Sequence, residues 1–526
     1  MNDPTGPTAP GPEHAAGERV PGTVTVIEDP AAAQAAAKLQ TEINRGVAWI
    51  ATSQAIVAVA DIIAVLLVVA LLPQSEYGLM MAAVPFYTVL DVASDFGVTA
   101  AIIQRDDHSP ERISTVFWFN VLISGGLFLL LLVIGPLYGH VMGHKILGYL
   151  LVGYATKLVF QNVYAIPYAL LRKELRFATV AKIRTTAYLV ESITRVAIAT
   201  TGISIWCYTI AALAKALVFA VLIQIARPFW PMWVFRIREV LPYVRFGLRT
   251  AASQILYYTY TNIDYPLVTY FFGEQANAIY SFAYWIVLEA VKTIANVVID
   301  VAFPTFARLR NDPRGLVTQF IRLTRLNLMA VLPFVVLILV IVPDLLQLFG
   351  HSLSASKGWT DHDLVLCGQA ARLLCLVGLL RALGFLGPPL LDGIGRPELT
   401  LRYMVAAAVL VPLAFVVAAK VLGPHLGFIS VAAGWAVGYP IAFGVLLYLV
   451  ARSIRLPMRE YVTSSAGILG CAAGGLVVGL IASALLPSLG PGARVLAVGG
   501  SALATMFLLL AYWQDVHPRS ILASLK

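Results

Sequence analysis

Charge is what this sequence of 526 residues has least of. Asp, Glu, Lys and Arg make up 12% of it, against roughly 25% in soluble domains. With a hydrophobic fraction of 59%, that deficit excludes a disordered chain and nearly every soluble one. Cysteine is also scarce. Cys207, Cys367, Cys375 and Cys471 each fall inside an apolar run, so neither a disulfide framework nor a zinc spacing is present. They read as small buried hydrophobes. The N-terminus has no apolar stretch of the kind that precedes signal cleavage. There is no Walker loop, serine elbow or carboxylate pair in a folded domain. The longest outer connection, GHSLSASKGWTDHD (350–363), is too short for a catalytic domain, and the expectation is a protein that is not an enzyme and holds no metal or cofactor.

What is there is apolar sequence in span-sized pieces. About fourteen segments are long enough for the ~20 residues a bilayer crossing needs. Their approximate limits are 47–72, 79–104, 113–138, 146–171, 177–200, 203–226, 242–272, 276–305, 319–348, 364–391, 400–421, 426–451, 463–487 and 493–513. They lack the alternation of barrel strands, so the expected fold is an all-α polytopic membrane protein of about 14 transmembrane helices. Residues 1–45 read as a polar tail with a short surface helix from Pro30, where Asp29 supplies a cap and proline suits the first turn. Residues 46–240 and 241–455 read as two six-helix lobes. Residues 456–526 add two further Gly/Ala-rich spans and a tail.

The formal charge of +9 follows from topology. One set of alternate connections, with both tails, carries 23 Lys and Arg, and the other set carries four. Basic loops stay cytoplasmic, so both termini are expected inside the cytoplasmic membrane, and no nucleic-acid partner is needed to explain the charge.

The two lobes resemble each other. Arg45-Gly46 with Thr52-Ser53-Gln54 is echoed by Phe246-Gly247 with Ala252-Ser253-Gln254. DFGVTAAIIQRDD (95–107) aligns with DVAFPTFARLRND (300–312), which sets Asp95, Arg105 and Asp107 on Asp300, Arg310 and Asp312. An even number of spans per half gives lobes of like orientation, related by an axis along the membrane normal, with a site between them.

Ten basic residues fall within spans. Charge at the bilayer centre costs about 2.5–3.5 kcal/mol even on lenient scales. Lys182, Arg184 and Arg245 lie close enough to span ends to snorkel. Lys157, Lys215, Lys292 and Arg381 are near mid-span, with Arg195 and Arg249 intermediate. The acidic residues in the same zone are Asp61, Asp91, Asp95, Glu191, Asp264, Glu289 and Asp300. Two pairs are local, Glu191 with Arg195 and Glu289 with Lys292, so helix-holding ion pairs are one reading. The other is a water-filled cavity with surplus positive charge, suited to an anionic substrate. Arg249, Lys292, Lys215, Arg381, Lys157 and Arg195 are then the candidate binding residues. Asp61 and Asp264 are candidates for coupling to a proton or sodium gradient.

DFGVTAAIIQRDDHSPERISTVFWFN (95–120), NIDYPLVTYFFGEQANAIYSFAYWI (262–286), FPTFARLRNDP (303–313) and GIGRPE (393–398) together resemble bacterial polysaccharide flippases of the Wzx type, in the multidrug/oligosaccharidyl-lipid/polysaccharide exporter superfamily. The resemblance covers roughly residues 40–455. Asp95, Gly97, Gln104 and Arg105 match its first motif, Asn262, Asp264 and Gly273 its second, Arg308 and Asp312 its third. It implies alternating-access transfer of an undecaprenyl-diphosphate-linked oligosaccharide from the cytoplasmic to the periplasmic leaflet. Implied partners are that lipid-linked substrate, membrane lipids, and a polysaccharide polymerase with its export machinery. Asp95, Arg105 and Arg310 would be gate residues at the cytoplasmic mouth. The alternatives are a peptidoglycan-precursor flippase and a cation-coupled multidrug exporter, the latter needing an anionic central site.

Overall fold

The computed structural model describes residues 30–95, 102, 109–174, 176–354 and 358–513; for 30–48, 50–51, 95, 237, 239–250 and 351–354 it describes the backbone alone. Lipid offers no hydrogen bonds, so each apolar run satisfies its own backbone as helix. The first lobe contains α1 (Pro30–Leu71), α2 (Gln74–Asp95), α3 (Pro110–Val141), α4 (Lys145–Ala155), α5 (Leu158–Lys173), α6 (Phe177–Ala199) and α7 (Cys207–Ala226). The second contains α8 (Ile237–Asn262), α9 (Asp264–Phe272), α10 (Glu274–Tyr284), α11 (Ala290–Arg308), α12 (Pro313–Ser354), α13 (Asp361–Gly384), α14 (Gly387–Gly393), α15 (Pro397–Val421), α16 (Gly423–Leu426) and α17 (Ile429–Ile454). α18 (Met458–Leu485) and α19 (Pro491–Trp513) close the chain.

Local sequence explains the boundaries. α1, α3, α12, α15 and α19 each open on proline, whose missing N–H costs nothing in a first turn. α13 opens on a capping box: Thr360 N donates to Asp363 Oδ2 at 2.8 Å, and Asp363 N donates to Thr360 Oγ1 at 3.2 Å. One expectation changes. The helix from Pro30 is not a separate surface element but runs unbroken into the first span, 42 residues in all, roughly 63 Å at 1.5 Å per residue. No glycine or proline lies between Pro30 and Leu71 except Gly46, and nothing there forces a break.

Among the described residues, eleven helical stretches are long and apolar enough to cross a membrane. Of the fourteen expected segments, 177–200, 242–272 and 276–305 are also helical, within residues 177–199, 237–272 and 274–308, but fall outside that group. These segments carry the charges: Lys182, Arg184, Glu191 and Arg195 in one, Arg249 and Asp264 in the next, Glu289, Lys292 and Asp300 in the last.

In the first lobe α6 packs between α1 and α7, and α3 packs on α4. In the second, α15 packs on α17, and α13 on α12 and α17. α18 and α19 pack on each other and on α12. A Cβ at Gly475 would stand 2.7 Å from the Ala502 carbonyl oxygen, so the small residues of α18 serve close helix packing. All four cysteines are buried and free.

The lobes meet along α2, which packs against α8, α9 and α10. At Gly78 the contact is backbone to backbone: a Cβ there would lie 1.8 Å from the Glu274 carbonyl oxygen. Asn277 Nδ2 donates to the Gly78 carbonyl at 2.8 Å, and His144 Nε2 lies 3.4 Å from Glu274 Oε2. This seam joins the two lobes.

Candidate functional site

A cavity of about 270 Å³ lies between the lobes beside this seam. α1 and α6 contribute Asp61 and Arg195, α2 contributes Tyr77, Met81 and Thr88, and α7 contributes Tyr208. From the second lobe come Tyr258, Asn262, Tyr265, Ser281, Trp285, Glu289 and Lys292. Five of these sit around a local irregularity. α8 gives way to α9 at Ile263, and residues Trp285–Glu289 form a π-helical turn between α10 and α11. Such turns recur at functional sites. This one brings both Trp285 and Glu289 to the cavity wall.

The charged groups are organised in two clusters. In the first lobe Arg195 Nη1 lies 2.8 Å from Asp61 Oδ1, and its Nη2 lies 3.6 Å from Glu191 Oε1. Lys215 Nζ lies 2.8 Å from the other Glu191 oxygen. Arg195 also stacks over the Tyr208 ring at 4.3 Å, and Lys215 over Tyr188 at 4.6 Å. Lys157 is buried against Asp91 and donates to Tyr154 Oη at 2.9 Å. Tyr154 Oη donates in turn to Asp91 Oδ2 at 3.2 Å. Three cations thus face three carboxylates within four packed helices and the end of α4.

In the second lobe Lys292 Nζ lies 3.1 Å from Glu289 Oε2. Arg381 is buried and donates to Tyr284 Oη at 2.9 Å, and Tyr284 Oη donates to the Thr261 carbonyl at 2.7 Å. Asp264 is fully buried. Its Oδ2 accepts from Tyr280 Oη at 2.6 Å and Trp435 Nε1 at 2.9 Å, and its Oδ1 accepts from the Tyr265 amide at 3.1 Å.

The structure therefore sorts the sequence candidates. Asp61, Arg195 and Lys292 reach the cavity. Lys157, Arg381 and Asp264 are buried and Lys215 is partly buried, and none of the four lines the cavity. Arg310 is exposed at the end of α11. Arg105 lies outside the described residues, as do the side chains of Asp95 and Arg249.

The expected surplus of unneutralised cations is reduced among the described residues: Lys157, Arg195, Lys215 and Lys292 each have a carboxylate partner, whereas Arg381 donates to the neutral Tyr284 hydroxyl. Uncompensated charge in low dielectric is too costly to leave standing. The pairs Asp61–Arg195 and Asp91–Lys157 join different helices, which no helical spacing rule detects. Sequence reasoning also missed Tyr208, Tyr188, Tyr154 and Trp435, the aromatic supports of the charges. An aromatic near a deep cation in sequence, such as Tyr154 before Lys157, was the available signal.

Both faces of the cavity thus carry a cation held by a neighbouring carboxylate, with tyrosine and tryptophan between them. Asp61 and Glu289 are the more exposed partners, with side chains 47% and 38% accessible, against 7% for Arg195. A diphosphate entering the cavity would exchange with these carboxylates for guanidinium and ammonium donors.

Comparison with known proteins agrees with this architecture. A family model described as "Polysaccharide biosynthesis protein" matches residues 67–352. The chain is 25% identical over 401 residues to the lipopolysaccharide biosynthesis protein WzxC of Escherichia coli (strain K12), covering 73% of this chain and 77% of that protein. It is 26% identical over 436 residues to the teichuronic acid biosynthesis protein TuaB of Bacillus subtilis (strain 168), covering 80% and 85%. Among solved structures, it has the fold of the lipid II flippase MurJ in an inward closed conformation. There the TM-score is 0.67 at 15% identity, over 87% of this chain and 99% of that one. An inward-facing multidrug resistance MATE family transporter of the MOP superfamily matches with a TM-score of 0.60 at 17% identity, over 77% and 96%.

Proposed function

The chain belongs to the polysaccharide biosynthesis protein family, and from that premise we propose that it is a flippase for an undecaprenyl-diphosphate-linked oligosaccharide. The observation that carries this reading is the cavity between the lobes, where Arg195 and Lys292 face a common space lined by tyrosine and tryptophan. The diphosphate takes Arg195 and Lys292, releasing Asp61 and Glu289. The aromatic and amide walls meet the sugars. The relatives named for lipopolysaccharide and teichuronic acid biosynthesis support a polysaccharide precursor as the cargo.

The distribution of Lys and Arg sets both termini in the cytoplasm of the bacterial inner membrane. The seam of Gly78, Asn277, His144 and Glu274 is then the outer gate, closed, and transport proceeds by rocking one lobe against the other. Release at the outer face restores the Arg195–Asp61 and Lys292–Glu289 pairs, so the empty cavity presents neither cation unpaired. Asp61, freed when Arg195 binds phosphate, is the first candidate for taking up a proton or sodium ion. Asp264, held by three neutral donors, is the second. Lys157, Lys215 and Arg381 position the walls. A polymerase and export machinery would receive the product.

The test is complementation of cells lacking the gene, reading lipid-linked oligosaccharide retained on the inner leaflet. Arg195→Ala and Lys292→Ala each remove one charge-assisted contact of about 1.5–3 kcal/mol, so flipping falls roughly tenfold or more while membrane insertion persists. Full export by both variants and by their double would overturn the assignment. Drug sensitivity without lipid accumulation would favour a multidrug exporter.

A further inference from the structure

A second recess, of about 200 Å³, lies away from the inter-lobe cavity, among α1, α5 and α6. Ser53 and Gln54 come from α1, Tyr168 and Arg172 from α5, and Phe177 and Arg184 from α6. Its chemistry differs from the central cavity's. Neither Arg172 nor Arg184 meets a carboxylate among the described residues; each instead lies over a tyrosine ring of its own helix, Tyr168 at 5.8 Å and Tyr188 at 5.5 Å. Glu174, a near neighbour in sequence, is engaged by Arg227 at 2.9 Å. Every deep lysine and arginine of the central clusters has a polar partner, yet these two guanidiniums share a recess without an anion.

The recess floor is organised. Ser53 Oγ and Thr185 Oγ1 are 2.6 Å apart, and Ser53 Oγ lies 3.3 Å from the Ala181 carbonyl. This fixes α1 on α6 and leaves Gln54, which is exposed, and the two arginines facing the space. Val180, Ala181 and Phe177 supply an apolar side. The recess sits at the α5–α6 connection, in a chain otherwise embedded in lipid. Two arginines, an amide, a tyrosine and an apolar flank between membrane helices suit the phosphate of an anionic lipid with its first glycerol or prenyl carbons.

We propose that Arg172 and Arg184, with Gln54 and Tyr168, bind the phosphate of an anionic lipid in this recess, separately from the central cavity. Two sources offer that chemistry: a bilayer phospholipid such as phosphatidylglycerol, and a polyprenyl phosphate. The full-length protein in neutral detergent is titrated with phosphatidylglycerol, undecaprenyl phosphate and zwitterionic phosphatidylcholine, following bound lipid by native mass spectrometry and the thermal midpoint. Wild type is expected to retain one anionic lipid in preference to phosphatidylcholine, and Arg172→Gln/Arg184→Gln to lose at least tenfold in affinity. Gln54→Glu sets a carboxylate at the recess from an exposed position, so it keeps the fold and loses the lipid as well. Arg195→Ala/Lys292→Ala retains the binding, which separates this site from the transport cavity. Saturation by phosphatidylglycerol identifies a bilayer lipid as the occupant; saturation by undecaprenyl phosphate alone identifies a prenyl carrier. Equal affinity of wild type, Arg172→Gln/Arg184→Gln and Gln54→Glu for both anionic lipids overturns the proposal, as does loss of binding only in the central-cavity double variant.

Discussion

Glu191→Gln isolates the energetics of the first-lobe charge cluster. Glu191 is buried and joins two cations, Lys215 at 2.8 Å and Arg195 at 3.6 Å. The substitution keeps the shape and removes the charge. Arg195 retains Asp61 at 2.8 Å, but Lys215 keeps no carboxylate, only the neutral amide and the Tyr188 ring. Breaking a buried pair by removing one partner costs about 3–5 kcal/mol. A desolvated cation–π contact contributes ~2 kcal/mol but is present before and after, so it does not reduce the difference. The amide oxygen still accepts one hydrogen bond, which sets the expected loss near the lower bound, ~3 kcal/mol. At about 2.1 cal/mol/K per residue, a first lobe of roughly 200 residues melting alone would lose ~7 °C, and the whole chain melting as one unit ~3 °C. Thermal unfolding of the detergent-purified protein, followed by a thiol probe on the buried cysteines, reads this directly. Cys207 reports the first lobe, and Cys367 and Cys375 the second. Glu191→Leu/Lys215→Met should recover most of the loss, because replacing a buried pair by apolar groups is close to neutral. A midpoint within about 1 °C of wild type for Glu191→Gln would mean that water already solvates Lys215, and the buried-cluster description would fail.

Three further outcomes follow from the geometry. Gly78→Ala places a methyl against the Glu274 carbonyl at 1.8 Å, so the seam must open; a cysteine replacing Asn277 should become labelled from the outer face only in that background, and unchanged protection would refute the closed gate. Asp264→Ala strands the Tyr280 hydroxyl donor, at about 1–3 kcal/mol, and leaves the Trp435 indole only its 3.1 Å bond to Tyr280 Oη; the second lobe should lose stability, whereas Asp264→Asn, which keeps an acceptor, should lose less. A wild-type melting curve for Asp264→Ala would show that neither donor depends on it. In transport, Lys292→Arg should retain more flipping than Lys292→Ala because it keeps the charge beside Glu289; equal loss would tie the defect to packing.

The relation between sequence and fold is clearest in the helices that carry charge. Pro30 marks a helix start in the sequence and in the structure, and Pro110, Pro313, Pro397 and Pro491 open helices in the same way. The pairs Glu191–Arg195 and Glu289–Lys292, one turn apart, were readable from spacing and are formed. Asp61 and Arg195, 134 residues apart, were readable only as two unusual residues. The same holds for Lys157 and Asp91. The π-helical turn at Trp285–Glu289 has no sequence signature, since it differs from α-helix by one residue in a turn and packs against α13, far along the chain.

By itself the sequence determined that this protein lives in a membrane. Few charges and many long apolar runs leave helix as the only way to satisfy a backbone in lipid. It also determined which residues are expensive, because a charge in a span is costly wherever the span packs. Only the tertiary structure decided what those charges do. Neutralisation depends on which helices become neighbours, and that is settled by packing between residues far apart in the chain. Packing turned a row of deep cations into paired clusters, set Arg195 and Lys292 on one cavity, and left Arg172 and Arg184 facing an open recess.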